Sequence, residues 1–260
     1  MNRSTDQPLL ATVNLRVQVQ QRVLVDQLNL QVRHGEFWCL LGPNGAGKTL
    51  LLHTLAGARA PAAGEVQVAG RPLAAWPLNE LACWRGMLPQ QLHDAFGAPV
   101  LDVVLQGRHP HLSRWSWEGA EDRALALAAL QRVDLAGFED RDVTTLSGGE
   151  RQRVALATLL VQDPPLALLD EPLAHLDLAH QIAMAELMAA EVRERGRAAV
   201  MSVHDLSLAQ RVGTHALLLG GGQAWAGPID EVLREDTLSR VFGHTLQRHE
   251  AQGRTWWLPE

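Results

Sequence analysis

The chain has 260 residues, 47% of them apolar and 20% charged, with a formal net charge of −6. That length holds a sizeable core, as one large domain or two small ones. The acidic balance excludes a general attraction to nucleic acid, although a local basic groove stays open as an option. Cys39 and Cys83 form neither a disulfide framework nor a metal-ligand spacing, and a reducing, cytosolic setting is expected. No basic-then-apolar leader and no run of about 18 apolar residues is present, so the chain is not expected to cross a membrane by itself. In chain order, residues 1–8 are polar and expected to fray. Between 15 and 32 apolar residues alternate with polar ones, at Leu15, Val17, Val19, Leu28, Leu30 and Val32. That period of two predicts strands with one buried face. Residues 37–41 are a short apolar run suited to a buried strand. The following Gly42, Pro43, Asn44, Gly45, Ala46, Gly47, Lys48 and Thr49 fit G-x-x-x-x-G-K-[ST], and residues 49–56 are apolar at helical spacing. Strand, glycine-rich loop and helix in succession are the context that this motif needs. Glycines let the backbone wrap an anion, and free N–H groups at the helix start point at it. Lys48 would reach the β- and γ-phosphates of a nucleotide, and the Thr49 hydroxyl would hold Mg²⁺. Lys48 is also the only lysine in the chain, every other permanently cationic side chain being arginine. A compact ammonium is needed at this one place.

Further along, residues 65–69 alternate again and 70–72 form a turn. Residues 78–83 predict a short helix and 86–89 a short strand that ends at Gln90. Residues 91–118 are poorly periodic and contain Gly107, Arg108, His109, Pro110 and His111, then Trp115 and Trp117. Residues 121–132 are an Ala/Leu-rich helix. Ser147 and Glu150 stand at capping-box spacing before a helix running to about Val161. Gly148 and Gly149 are not needed for a cap; they suit a backbone that approaches a ligand closely at a helix N-terminus. Residues 167–170 are an apolar strand ending in Asp170 and Glu171, and 178–195 a long amphipathic helix stopped by Gly196. Residues 198–203 and 216–219 read as two more buried strands. The polar sequence from about Arg248 to Trp256 and Trp257 suits a small terminal hairpin. Helices alternating with apolar strands give an α/β domain with a largely parallel sheet. Catalytic groups are expected at the carboxyl ends of its strands, with a helical insertion between about 91 and 160.

Leu146, Ser147, Gly148, Gly149, Glu150, Arg151, Gln152 and Arg153 resemble the signature sequence of ABC-type ATPases. With the phosphate loop upstream and Leu168, Leu169, Asp170, Glu171 and Pro172 downstream, the resemblance runs along nearly the whole chain. It implies a P-loop NTPase (RecA-like) core with a mixed, largely parallel sheet, an N-terminal antiparallel β subdomain and an inserted α-helical subdomain. The implied layout is one nucleotide-binding domain over 1–260, with 1–90 and 161–260 as ATP-binding core and 91–160 as helical subdomain. By the same resemblance Asp170 and Gln90 join Thr49 around Mg²⁺, Glu171 polarises the attacking water, and His204 sits near the γ-phosphate. Ser147, Gly148, Gly149, Glu150 and Asp177 would serve the nucleotide held by a second copy, so that two chains enclose two ATP molecules.

One departure is plain. Relatives carry an aromatic side chain upstream of the phosphate loop that stacks on adenine, whereas around Gln18 and Val19 this chain has only aliphatic and amide groups. Weak discrimination between ATP and GTP is therefore expected. Gly107 to His111, Glu121–Asp122, the run from His175 to Leu178, and His204 to Leu206 resemble the subgroup that powers uptake of iron–siderophores, haem and vitamin B12. That subgroup implies a separate membrane permease, with a periplasmic or extracellular binding protein upstream, no nucleic acid, and a place on the cytoplasmic face of the cell membrane. Residues 108–117 are expected to touch the permease. A GTPase would need Asn-Lys-x-Asp, which a chain with Lys48 as its sole lysine cannot hold. A chromosome-maintenance ATPase would need a long coiled coil between the phosphate loop and Leu146, and a translation factor would carry two cassettes. The alternative left standing is a soluble ABC ATPase with an assembly or regulatory role and no permease.

Overall fold

The computed structural model describes residues 7–91, 96–113, 116–251 and 254–260. In chain order the elements are β1 (Leu10–Val19), β2 (Arg22–Leu28), β3 (Gln31–Val32), β4 (Phe37–Leu41), α1 (Lys48–Leu55), β5 (Ala63–Val68), β6 (Arg71–Pro72), α2 (Leu78–Trp84) and β7 (Arg85–Leu88). Then come α3 (Val100–Leu105), α4 (Ala120–Arg132), α5 (Gly148–Gln162), β8 (Leu166–Leu169), α6 (Leu178–Arg195), β9 (Ala198–Ser202), α7 (Leu206–Val212) and β10 (His215–Gly220). The chain closes with β11 (Gln223–Pro228), α8 (Ile229–Val232), α9 (Glu235–Phe242), β12 (Leu246–Ala251) and β13 (Arg254–Pro259).

The central sheet runs β11-β10-β4-β9-β8-β7. All its neighbours are parallel except the β10–β11 hairpin at one edge. Its inner strands read as unbroken apolar runs because both faces are covered. Phe37, Cys39 and Leu41 of β4, Ala167 and Leu169 of β8, and Ala199 and Met201 of β9 enter one core with the helices α3 to α7. Trp38 and Leu40, Leu166 and Leu168, and Ala198 and Val200 enter the other, with α1 and the N-terminal sheet. The two-residue period of an extended chain thus sorts each strand between two hydrophobic layers.

The N-terminal sheet, β2-β1-β5-β6 with β3 also on β1, is antiparallel throughout. Here the alternation read from residues 15–32 keeps its ordinary meaning, with one face in the core and one in solvent. Helices α3, α4 and α5 pack on one another, and α5 also packs on β7 at the edge of the central sheet. The terminal hairpin β12–β13 packs on α7 and buries Trp257.

Four parallel strands deliver the chemistry at one edge. The phosphate loop follows β4, Gln90 follows β7, Asp170 and Glu171 follow β8, and His204 follows β9. Carboxyl ends of parallel strands are where an open α/β sheet leaves room for a ligand.

Candidate functional site

The phosphate loop is held in place by its neighbours. Gly42 has φ +143°, and a Cβ there would run into the carbonyl oxygen of Leu219 on β10, so only glycine lets the loop leave β4 at this point. Lys48, only 6% exposed, turns its ammonium back onto the loop and donates to the carbonyls of Gly42 at 2.8 Å and Pro43 at 3.3 Å. Burial pushes its pKa below the ordinary lysine value, while the charges of Glu171 and Asp170 act in the opposite direction.

Beneath the loop, Asp170 is fully buried. Its Oδ1 accepts from the Ser202 hydroxyl at 2.9 Å, and its Oδ2 has no hydrogen-bond partner among the described residues. A buried carboxylate oxygen without a partner is costly unless something is bound there. The same Ser202 oxygen accepts from the backbone N–H of Glu171 at 2.7 Å, and Glu171 sits at φ +48°. Ser202 therefore clamps both acidic residues at the end of β8 from the end of β9. The sequence reading passed over it; the signal was a lone hydroxyl closing an otherwise apolar strand.

The Glu171 carboxylate meets two further predicted residues. Gln90 Nε2 donates to its Oε2 at 2.9 Å, and His204 Nε2 lies 2.8 Å from its Oε1. Three side chains from the ends of β7, β8 and β9 thus form one chain of contacts at the mouth of a cleft of about 890 Å³. Asn44, Gly45, Gly47, Lys48, Thr49, Leu50, Gln90, Glu171 and His204 line one part of the cleft, and Val19, Gln20, Arg22 and Leu24 the other. The oxygen-bearing set of Thr49, Asp170 and Gln90 suits a hard cation such as Mg²⁺, and the unpaired Asp170 Oδ2 is the observation in its favour.

Ser147, Gly148, Gly149, Glu150 and Asp177 do not line this cleft. Ser147 caps α5, its backbone N–H donating to Glu150 Oε2 at 2.7 Å while its hydroxyl accepts from the Glu150 N–H at 3.3 Å. That first bond holds the Glu150 carboxyl below the usual range. Asp177 caps α6, accepting from the His180 N–H at 2.9 Å, and its carboxyl is held low by that bond. The loop before Asp177 packs against the start of α5: a Cβ on Gly149 would lie 2.9 Å from the His175 carbonyl oxygen, whereas one on Gly148 would meet only ordinary contacts. At Gly149 the close approach includes one to the chain's own His175 loop.

Of residues 108–117, Arg108 turns inward, with its Nε donating to Asp122 at 2.7 Å and another N–H to the Val161 carbonyl. Trp117 is 88% exposed, and Trp115 lies outside the described residues. Among the described residues no helix is long and apolar enough to cross a membrane.

With this geometry in hand, comparison with known proteins gives three kinds of likeness. A family model described as ABC transporter matches residues 25–174. The hemin import ATP-binding protein HmuV of Streptomyces coelicolor is 43% identical, over 92% of this chain and 85% of the relative. A solved structure, an inward-facing conformation of a metal-chelate type ABC transporter, superposes with a TM-score of 0.84 at 28% identity, covering 97% of this chain and 98% of that one. A dimeric bacterial ABC transporter cassette superposes with a TM-score of 0.74 at 26% identity, over 85% of this chain and 98% of the other.

Proposed function

Since the chain belongs to the ABC transporter family, we propose that it is the ATP-hydrolysing subunit of an importer for a metal chelate, hemin foremost, with iron–siderophores and cobalamin as its chemical kin. Two copies close around two Mg-ATP, each completing the other's site with Ser147, Gly148, Gly149, Glu150 and Asp177. Lys48 and the loop N–H groups neutralise the phosphates. Thr49, Asp170 and Gln90 would hold Mg²⁺, which would supply charge neutralisation for the phosphates. Glu171 polarises the attacking water, and His204 and Gln90 fix its carboxylate. Hydrolysis removes the bridging contacts and adds charge repulsion, and the opening of the pair drives a separate permease on the cytoplasmic face of the cell membrane. A binding protein outside delivers the chelate.

The observation that carries this reading is the meeting of Gln90 and His204 on the Glu171 carboxylate beside Lys48. The relative from Streptomyces coelicolor supports the hemin assignment by its name, and the metal-chelate type transporter supports the class. Phe96, 86% exposed, and Trp117 are the apolar side chains offered to the permease, while Arg108 holds its own α4.

Uptake of hemin in a host deleted for this chain tests it. Wild type restores uptake, and Glu171→Gln binds ATP but restores none. Full uptake with Glu171→Gln would place the base elsewhere. If the wild type restores uptake of no chelate and leaves detergent extracts without a hydrophobic partner, the regulatory ATPase without a permease replaces this proposal.

A further inference from the structure

The cleft has one wall without an assigned task. Val19, Gln20, Arg22 and Leu24 line it beyond the phosphate-binding residues. Val19 and Arg22 are register partners where β1 turns into β2, so they stand together at the tip of that hairpin. The arginines nearby are engaged: Arg16 pairs with Asp26 at 2.8 Å, and Arg59 donates to the Gln18 carbonyl at 2.7 Å. Arg22 is exposed, and among the described residues its guanidinium has no hydrogen bond or ion pair. A nucleoside triphosphate whose phosphates lie on Lys48 and the loop must send its base out of the phosphate end of the cleft, toward the remaining wall.

We propose that the Arg22 guanidinium is the platform on which the nucleobase stacks, in place of an aromatic ring. A guanidinium is planar, weakly hydrated and always charged, and it stacks on π-faces. Val19 and Leu24 give the base apolar edges, and Gln20 has only a small amide plane. The proposal rests on the nucleotide reading given above. It also names the cause of the weak base discrimination expected from the sequence. A stacked plane contacts any purine face and reads no exocyclic group, so ATP and GTP bind alike.

The test is equilibrium binding of Mg-ATP, Mg-GTP and Mg-tripolyphosphate to the full chain in a Glu171→Gln background, which prevents turnover. Arg22→Ala weakens ATP and GTP each by about tenfold, the size of one base stack, and leaves tripolyphosphate unchanged. Arg22→Lys behaves like Arg22→Ala, because it keeps the charge and loses the plane, and Arg22→Trp binds both nucleotides as tightly as Arg22 does. Undiminished ATP binding by Arg22→Ala would overturn the proposal. So would an equal loss for tripolyphosphate, or rescue by Arg22→Lys, since either would make Arg22 a phosphate contact. A chain that binds tripolyphosphate but neither nucleotide, or none of the three, would overturn the nucleotide reading and this proposal with it.

Discussion

Lys48 holds a charge where the fold disfavours it. Its carbonyl acceptors do not offset its burial, because its pKa lies below the ordinary 10.5. Between the folded value and 10.5 the unfolded chain binds more protons, so stability rises with pH through that window. Lys48→Met should therefore melt above wild type without nucleotide and lose that alkaline slope. It should also fail to gain from Mg-ATP, which at a hundredfold excess over Kd stabilises a binding-competent chain by about 2.7 kcal/mol. Thermal melts with and without Mg-ATP, from neutral pH upward, measure both effects. A Lys48→Met chain that melts lower, or that still gains from Mg-ATP, would contradict this account. At this scale the sequence motif made Lys48, Thr49, Asp170, Glu171, Gln90 and His204 legible. Ser202 and Arg22 were not, because each acts through a neighbour that only the fold brings near: Ser202 through the adjacent strand β8, and Arg22 through a hairpin tip at the cleft.

Among the elements, α5 has its start tied to both stability and the proposed site. Its capping box should make Ser147→Ala cost about 1 kcal/mol in urea unfolding at neutral pH. The Glu150 carboxyl is depressed by its bond from the Ser147 N–H, so its contribution is present above the unfolded glutamate value and lost as pH falls through the folded one. Glu150→Gln keeps an oxygen acceptor and should flatten that acid-side loss; an unchanged slope would assign the loss to other carboxylates. The two glycines beside it should separate. Gly148→Ala should melt as wild type or slightly above, as glycine-to-alanine changes do where the space is open. Gly149→Ala should melt lower, because its Cβ would press on the His175 carbonyl; equal melting of the two would contradict that packing. Short, fully apolar strands and capped helices could be read from the chain because burial on two faces and cap chemistry leave local patterns. The six-residue α3 and the 3₁₀ turn Gln106–His111 are too short to show a period, so residues 91–118 read as irregular. Strand β11 ends on adjacent Gly227 and Pro228, fully buries none of its residues, and owes its existence to pairing with β10. No local pattern announces such a strand.

At the scale of the molecule, the described cleft carries one part of the proposed site. Its lining includes the phosphate loop, Gln90, Glu171 and His204, and omits the α5 start and Asp177, which are engaged in capping their own helices. The resemblance to ABC-type ATPases implies that such a division is made good by a second copy, and a structural neighbour at 26% identity is itself a dimeric cassette. What the linear order could not announce is where the two parts meet within one chain: the His175 loop, which follows Glu171, lies directly against Gly149 at the start of α5. In the proposed cycle two copies complete each other's sites around Mg-ATP. The most direct measurement is the mass of the Glu171→Gln chain in solution by sedimentation velocity. The account predicts a dimer with saturating Mg-ATP and a monomer with Mg-ADP; a chain that binds Mg-ATP and sediments as a monomer would contradict it.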